Sequence, residues 1–305
     1  MIRPQRRRFL ETLAGLSSIV LLRPPVALAS PVIKKSIRSS GERLPAIGLG
    51  TWLTFDVNEA ALAQTQLLPV LQTFFDHGGV LIDSSPMYGA SEEVIGDLLP
   101  LVKNKPALFA ASKVWTMGQN RGINQMEASR KLWRVARFDL MQIHNMLDWE
   151  AHLETLKKWK SEGRVRYIGI TTSHGRRHEA MEKVMAKEPF DFVQFTYNIV
   201  DREAEQRLLP LAAERGIGVI INRPFQGGAL FNRVRNKPLP SWAAEFDCRN
   251  WAQFFLKFII AHPAVTCAIP ATSQAAHMQE NIGAGSGRLP DAATRRRMVQ
   301  YFEAI

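Results

Sequence analysis

Hydrophobic and polar positions along the chain fall into two alternating patterns. Short apolar runs of strand length recur at 47–50, 80–83, 107–113, 140–144, 165–171, 192–198, 218–222 and 265–270. Such near-continuous apolar runs predict strands buried on both faces, as in a parallel sheet. Between them lie amphipathic stretches of helical period. Two examples are 149–162, closed by Gly163, and 203–215, closed by Gly216. Glycine there supplies the left-handed exit that a helix end favours. Alternating strand and helix implies parallel strands joined by right-handed crossovers, and eight such units close most simply into a (β/α)8 TIM barrel of α/β class. Segments 33–36 and 43–46, flanking Ser39-Ser40-Gly41, predict an N-terminal β-hairpin over the barrel's closed end. The competing architecture is an open, doubly wound sheet with Gly-x-Gly-x-x-Gly at its first turn. Gly48-Leu49-Gly50-Thr51-Trp52-Leu53 lacks both the third glycine and a helix start, so the open sheet is disfavoured.

The first residues follow another pattern. Arg6-Arg7-Arg8-Phe9-Leu10 precedes an apolar run from Leu13 to Leu22, then Arg23 and the small-residue stretch Ala27-Leu28-Ala29. A charged head, an apolar middle and a cleavable end resemble a twin-arginine export signal over 1–29, ahead of one barrel domain over 30–305. The expected address is periplasmic, with the export machinery as a partner, and an uncleaved signal acting as an anchor is the alternative. The apolar run is too short for a standard transmembrane helix.

Composition narrows the class. With 46% apolar and 22% charged residues the chain reads as a soluble globular protein. Its formal charge of +11 includes +4 from the leader's five arginines and one glutamate, which leaves about +7 for the barrel. The bases are scattered and no aromatic series alternates with them, so nucleic-acid binding is not expected. Cys248 and Cys267 are read as unpaired, Cys267 as a buried core thiol in an apolar run. His174 and His178 have no third ligand near them in sequence, so no metal is expected. A monomer is the expected state.

Chemistry enters at the strand ends, because a barrel carries its active site at the carboxyl ends of its strands. Val80-Leu81-Ile82 runs directly into Asp83, and a carboxylate ending a buried strand needs a partner. Lys113 ends the next run and can supply it. His144 ends the fourth, and Tyr88 lies just beyond Asp83. An acid, a base, an imidazole and a phenol at neighbouring strand ends have little structural purpose, since apolar side chains would fill the space at lower cost.

These residues carry a family resemblance. Leu81-Ile-Asp83-Ser-Ser-Pro-Met-Tyr88-Gly89, Ser112-Lys113-Val-Trp115, Asp139-Leu-Met-Gln-Ile-His144, Gly163-Arg-Val-Arg-Tyr-Ile-Gly169 and Gln194-Phe-Thr-Tyr197-Asn198 make the chain similar to the aldo-keto reductases over the region after the leader. The resemblance implies NAD(P)H-dependent reduction of a small-molecule carbonyl, with Tyr88 as proton donor. Lys113 is expected to lower the pKa of the phenol and so ease release of its proton, Asp83 to hold Lys113, and His144 to orient the carbonyl oxygen.

By the same resemblance the nicotinamide would meet Thr171, Thr172 and Gln194, with Asn222 at the position where a stacking tyrosine is common and Phe225 as a substitute. Arg223 is expected near the pyrophosphate. Thr272, Ser273, His277, Glu280 and Asn281 are expected at the adenine end, where Ala271 and His277 replace the usual cations. NADPH is therefore only modestly preferred, and NADH stays open. Trp52, Phe55, Met87, Trp115 and Met146 are the expected substrate pocket wall. A second functional reading stays open too: an exported nicotinamide-binding module that senses redox state or docks a partner with little turnover.

Overall fold

The protein is described as a computed structural model covering residues 31–305 apart from Pro106; the predicted export signal lies outside the described residues. Two short antiparallel strands come first, β1 (Lys34–Ser36) and β2 (Arg43–Pro45), followed by the barrel strands β3 (Leu49–Gly50), β4 (Leu81–Asp83), β5 (Phe109–Val114) and β6 (Phe138–Ile143). The remaining strands are β7 (Val165–Thr171), β8 (Phe192–Thr196), β9 (Gly218–Asn222) and β10 (Cys267–Ala268). All eight barrel strands pair in chain order and in parallel, and bridges from Ile47 to Ala268 and from Gly50 to Ala271 bring the last strand to the first. That closure explains Gly50: a Cβ there would stand 2.7 Å from the Ile269 carbonyl oxygen.

Helices α1 (Ala60–Asp76), α2 (Ser91–Leu98), α3 (Gln119–Leu132), α4 (Trp149–Ser161), α5 (His178–Lys187) and α6 (Leu208–Arg215) fill the outer ring through the sixth crossover. The short α7 (Ala229–Arg233) and then α8 (Trp251–Ile260) follow β9, and α9 (Ala275–Gly283) and α10 (Ala292–Ala304) follow β10. The stretch expected to be one helix over 203–215 is broken into a single turn at Glu203–Glu205 and α6. Pro210 accounts for the break. Lacking an N–H, it is best tolerated in a helix's first turn, and restarting at Leu208 places it there. Gly163 and Gly216 end α4 and α6 at φ of 73° and 68°, as their positions predict.

Period-two alternation along the strands decides which side chains reach the barrel's axis. Leu81 and Asp83 on β4, Phe109, Ala111 and Lys113 on β5, and Leu140 and Gln142 on β6 share one parity. The apolar members of these series form a distinct core inside the barrel with Tyr167, Phe192, Ile220 and Cys267. The polar members come last, at the carboxyl ends. At the opposite end Ile37 and Leu44 of the hairpin join this inner core. Arg166 of β7 donates to Glu42 and to Asp139, and the Tyr167 hydroxyl donates to Glu42 at 2.7 Å. The hairpin is thus fastened across the closed end, where it was expected. The larger core lies between sheet and helices.

Candidate active site

Asp83 is buried, and each of its carboxylate oxygens has donors. Lys113 Nζ donates to Oδ1, while Gln142 Nε2 at 2.8 Å and Gln194 Nε2 at 3.1 Å donate to Oδ2. Lys113 also donates to the Ser84 carbonyl at 2.8 Å. Burial opposes the charge on Lys113, yet Asp83 and then Tyr88 outweigh it and hold the ammonium above its ordinary pKa. Sequence reasoning missed Gln142. Its signal was parity, since Gln142 stands two positions before His144 at the end of β6.

Tyr88 stands on a turn closed by its own N–H donating to the Ser85 carbonyl at 3.0 Å. The glycine that follows is required twice over. Gly89 has φ of 58°, and a Cβ there would collide with the Asp56 carboxylate, which accepts from Ala90 N at 2.9 Å. Lys113 Nζ lies 5.0 Å from the centre of the Tyr88 ring, and the His144 ring meets that ring edge-on with centroids 5.7 Å apart. Asp83, Tyr88, Lys113 and His144 are therefore brought together.

The acidity expected for the phenol is corrected. Burial raises the Tyr88 pKa, and this outweighs the lowering by Lys113, so the net shift is upward. The hydroxyl stays protonated at neutral pH as a loaded donor. His144 is pulled down to about 2, first by burial and then by Lys113, so it is a neutral imidazole. Its Nδ1 lies 2.9 Å from Ser85 Oγ.

These groups stand over a cavity of about 380 Å³ whose lining includes Asp83, Tyr88 and His144 together with Trp52, Met87 and Phe231. Trp115, expected in the wall, is not among the lining residues; it is 41% exposed, with its ring 6.4 Å from that of His144. Two further expected wall residues also lie outside the lining. Phe55 is wholly buried and Met146 nearly so, both within the outer core, because packing against the barrel removes more apolar surface from water than lining an open mouth.

Comparison with known proteins bears on this arrangement directly. The profile of the Aldo/keto reductase family matches residues 46–296. The chain belongs to that family. Methylglyoxal reductase YeaE of Escherichia coli (strain K12) is 28% identical over 256 residues, 81% of this chain and 88% of that protein. An aldo-keto reductase from Klebsiella pneumoniae, solved in complex with NADPH, superposes with a TM-score of 0.71 at 24% identity, covering 89% of this chain and 96% of its own. The holo form of the aldo-keto reductase AKR11C1 from Bacillus halodurans gives 0.72 at 19% identity, with coverage of 89% and 96%. Both likenesses establish the fold.

Among the cofactor positions expected of an aldo-keto reductase, Thr171, Gln194, Asn222, Arg223 and Phe225 line the cavity. Thr172 does not; it is buried and its hydroxyl donates to the Arg176 carbonyl at 2.6 Å. Gln194 is engaged with Asp83 and with Gln142 Oε1, so its amide serves the charge pair beneath the cavity. Asn222 is locked as well: Nδ2 donates to the Thr172 carbonyl at 2.9 Å and Oδ1 accepts from Thr196 Oγ1 at 2.7 Å. Thr196, unforeseen from sequence, also accepts from His174 N at 2.9 Å. Arg223 has φ of 49°, lies over the Trp52 ring at 5.8 Å, and is pulled below its ordinary pKa by burial, with Asp201 opposing. Such a cation is short of counter-charge and suits a polyphosphate. Gly227 and Gly228, both at positive φ, line the cavity beside it.

The expected adenine-end residues Thr272, Ser273, His277, Glu280 and Asn281 are gathered at the entry to and along α9, outside the cavity lining. Thr272 Oγ1 accepts from Gln274 N at 3.1 Å, so its hydroxyl holds the turn into α9.

Proposed function

We propose that this aldo-keto reductase reduces aldehyde or ketone carbonyls to alcohols with NADPH, with Tyr88 as the proton donor. The observation that carries the proposal is the convergence of a protonated phenol, a neutral imidazole and a buried ammonium–carboxylate pair on one cavity at the strands' carboxyl ends. The guanidinium of Arg223, which has no hydrogen bond or ion pair among the described residues, fits the cofactor's phosphates, with Gly227 and Gly228 beside it. Thr171 ends β7 at the cavity, where a carboxamide would be received. When bound, NADPH supplies the hydride.

The protein's own share is positioning and proton transfer. The carbonyl oxygen is held between the Tyr88 hydroxyl and the His144 ring, where an N–H and an O–H both aim at developing negative charge. As that oxygen becomes an alkoxide it takes the Tyr88 proton. The phenolate left behind is stabilised by Lys113, whose charge Asp83 maintains with the help of Gln142 and Gln194. Trp52, Met87 and Trp115 offer apolar surface to the rest of the substrate. The nicotinamide-binding module reading gains no specific support beside this constellation.

A single-turnover experiment with NADPH and a reactive aromatic aldehyde tests the proposal. Cofactor oxidation should be measurable, and Tyr88→Phe should slow it by about 10²–10⁴-fold, the usual worth of a general acid, while NADPH still binds. Tight NADPH binding with no oxidation by the unaltered protein would overturn it.

A further inference from the structure

We propose that Ser85 is a positioning residue that fixes the tautomer of His144, donating its hydroxyl hydrogen to Nδ1 so that the imidazole proton resides on Nε2. The inference rests on the reading of His144 as a hydrogen-bond donor to the carbonyl oxygen.

Donor and acceptor accounting around one hydroxyl carries the argument. Ser85 is wholly buried, and its Oγ lies 2.9 Å from His144 Nδ1 and 3.4 Å from the Met87 N–H, which donates to it. Burial and the nearby Lys113 ammonium keep the imidazole neutral, so one of its nitrogens carries hydrogen and the other is bare. Suppose Nδ1 carried it. Ser85 Oγ would then accept from both Nδ1 and Met87, and its own hydrogen would be left in a buried space without an acceptor, at a cost of about 1–3 kcal/mol. With Ser85 as donor every group is matched: Met87 gives to Oγ, Oγ gives to Nδ1, and Nε2 keeps its hydrogen for the cavity that His144 lines. An Nε2 without hydrogen would instead set a lone pair against the lone pairs of a carbonyl oxygen. The same residue also holds the proton donor's loop, because the Ser85 carbonyl accepts from Tyr88 N at 3.0 Å. One serine thus sets both hydrogen-bond donors that a carbonyl oxygen would meet.

The experiment is long-range proton–nitrogen correlation NMR on the full chain carrying 15N-labelled histidine, without cofactor. His144 resonances are identified by their loss in His144→Asn. The unaltered protein should show Nδ1 as a bare nitrogen and Nε2 as a protonated one. In Ser85→Ala both should move toward intermediate, exchanging values, kcat/KM should fall about tenfold, the worth of one hydrogen bond, and NADPH affinity should hold. Ser85→Thr, which keeps the hydroxyl, should recover the tautomer and most of the rate. A protonated Nδ1 in the unaltered protein overturns the assignment even if Ser85→Ala does not fold. A fixed Nε2–H and full activity in Ser85→Ala overturn it too. The expected tautomer in a protein that reduces no carbonyl would sink the reductase reading and leave Ser85's role standing. Active enzyme with a protonated Nδ1 would do the reverse.

Discussion

At the scale of single residues, the site holds Tyr88, Lys113 and His144 each in one protonation state across the physiological range. His144 shows this most sharply, because its folded pKa of about 2 lies far below its ordinary 6.5. The unfolded chain therefore takes up a proton here as pH falls through 6.5 while the folded protein does not. Stability tied to His144 is complete above that value and drains away below it. Between pH 7 and pH 5 the unaltered protein should lose about 2 kcal/mol more than His144→Gln, as read by denaturant unfolding at both values; equal losses would show that the imidazole is not shielded. Asp83 makes the complementary case. Asp83→Asn leaves the wholly buried Lys113 ammonium without its carboxylate, and unfolding experiments should register a loss of about 3–5 kcal/mol along with impaired turnover. Asp83, Tyr88, Lys113 and His144 were legible because each ends a strand or follows one directly. Ser85 and Gln142 were not, since a serine or glutamine in isolation declares nothing until its partner is located. Desolvation of Tyr88 was equally invisible, because a sequence shows the neighbouring charge but not how much water the ring has lost.

At the scale of elements, the hairpin and the strand ends divide labour between the two mouths of the barrel. Glu42 accepts from both Arg166 and the Tyr167 hydroxyl, fastening the hairpin beneath an apolar layer that separates it from the catalytic groups. Glu42→Ala should cost about 1–2 kcal/mol in denaturant unfolding and leave kcat/KM unchanged, since stability and chemistry sit at opposite ends. A fall in kcat/KM without a loss of stability would contradict that separation. Strand order and parity were readable because period-two alternation continues through each run into its polar terminus. The break ahead of α6 was not anticipated, although Pro210 marks it, because amphipathic periodicity runs on through the interruption. The buried fates of Phe55 and Met146 were hidden for a related reason. A loop aromatic has the same composition whether it faces a ligand or its own scaffold, and only packing decides.

At the scale of the whole molecule, the leader and the barrel make separate claims. We propose that residues 1–29 direct export of a folded barrel, a reading that rests on Arg6-Arg7 and the apolar run behind them. Expressed in a bacterium with a twin-arginine system, the protein should recover from the periplasm with its first residue near Ser30, and Arg6→Lys with Arg7→Lys should retain the full-length form in the cytoplasm. Amino-terminal sequencing of each fraction checks both outcomes, and efficient processing of the doubly altered chain would refute the route. The barrel's own chemistry has a bearing on such a journey. Cys248 and Cys267 are both free and both buried, the first with its thiol raised to about 11 by burial and the second sealed inside the barrel's core. Neither sulfur is offered to an oxidant or an isomerase, so the barrel can be completed in a reducing cytosol and endure an oxidising space afterwards with no cross-link to gain and none to lose.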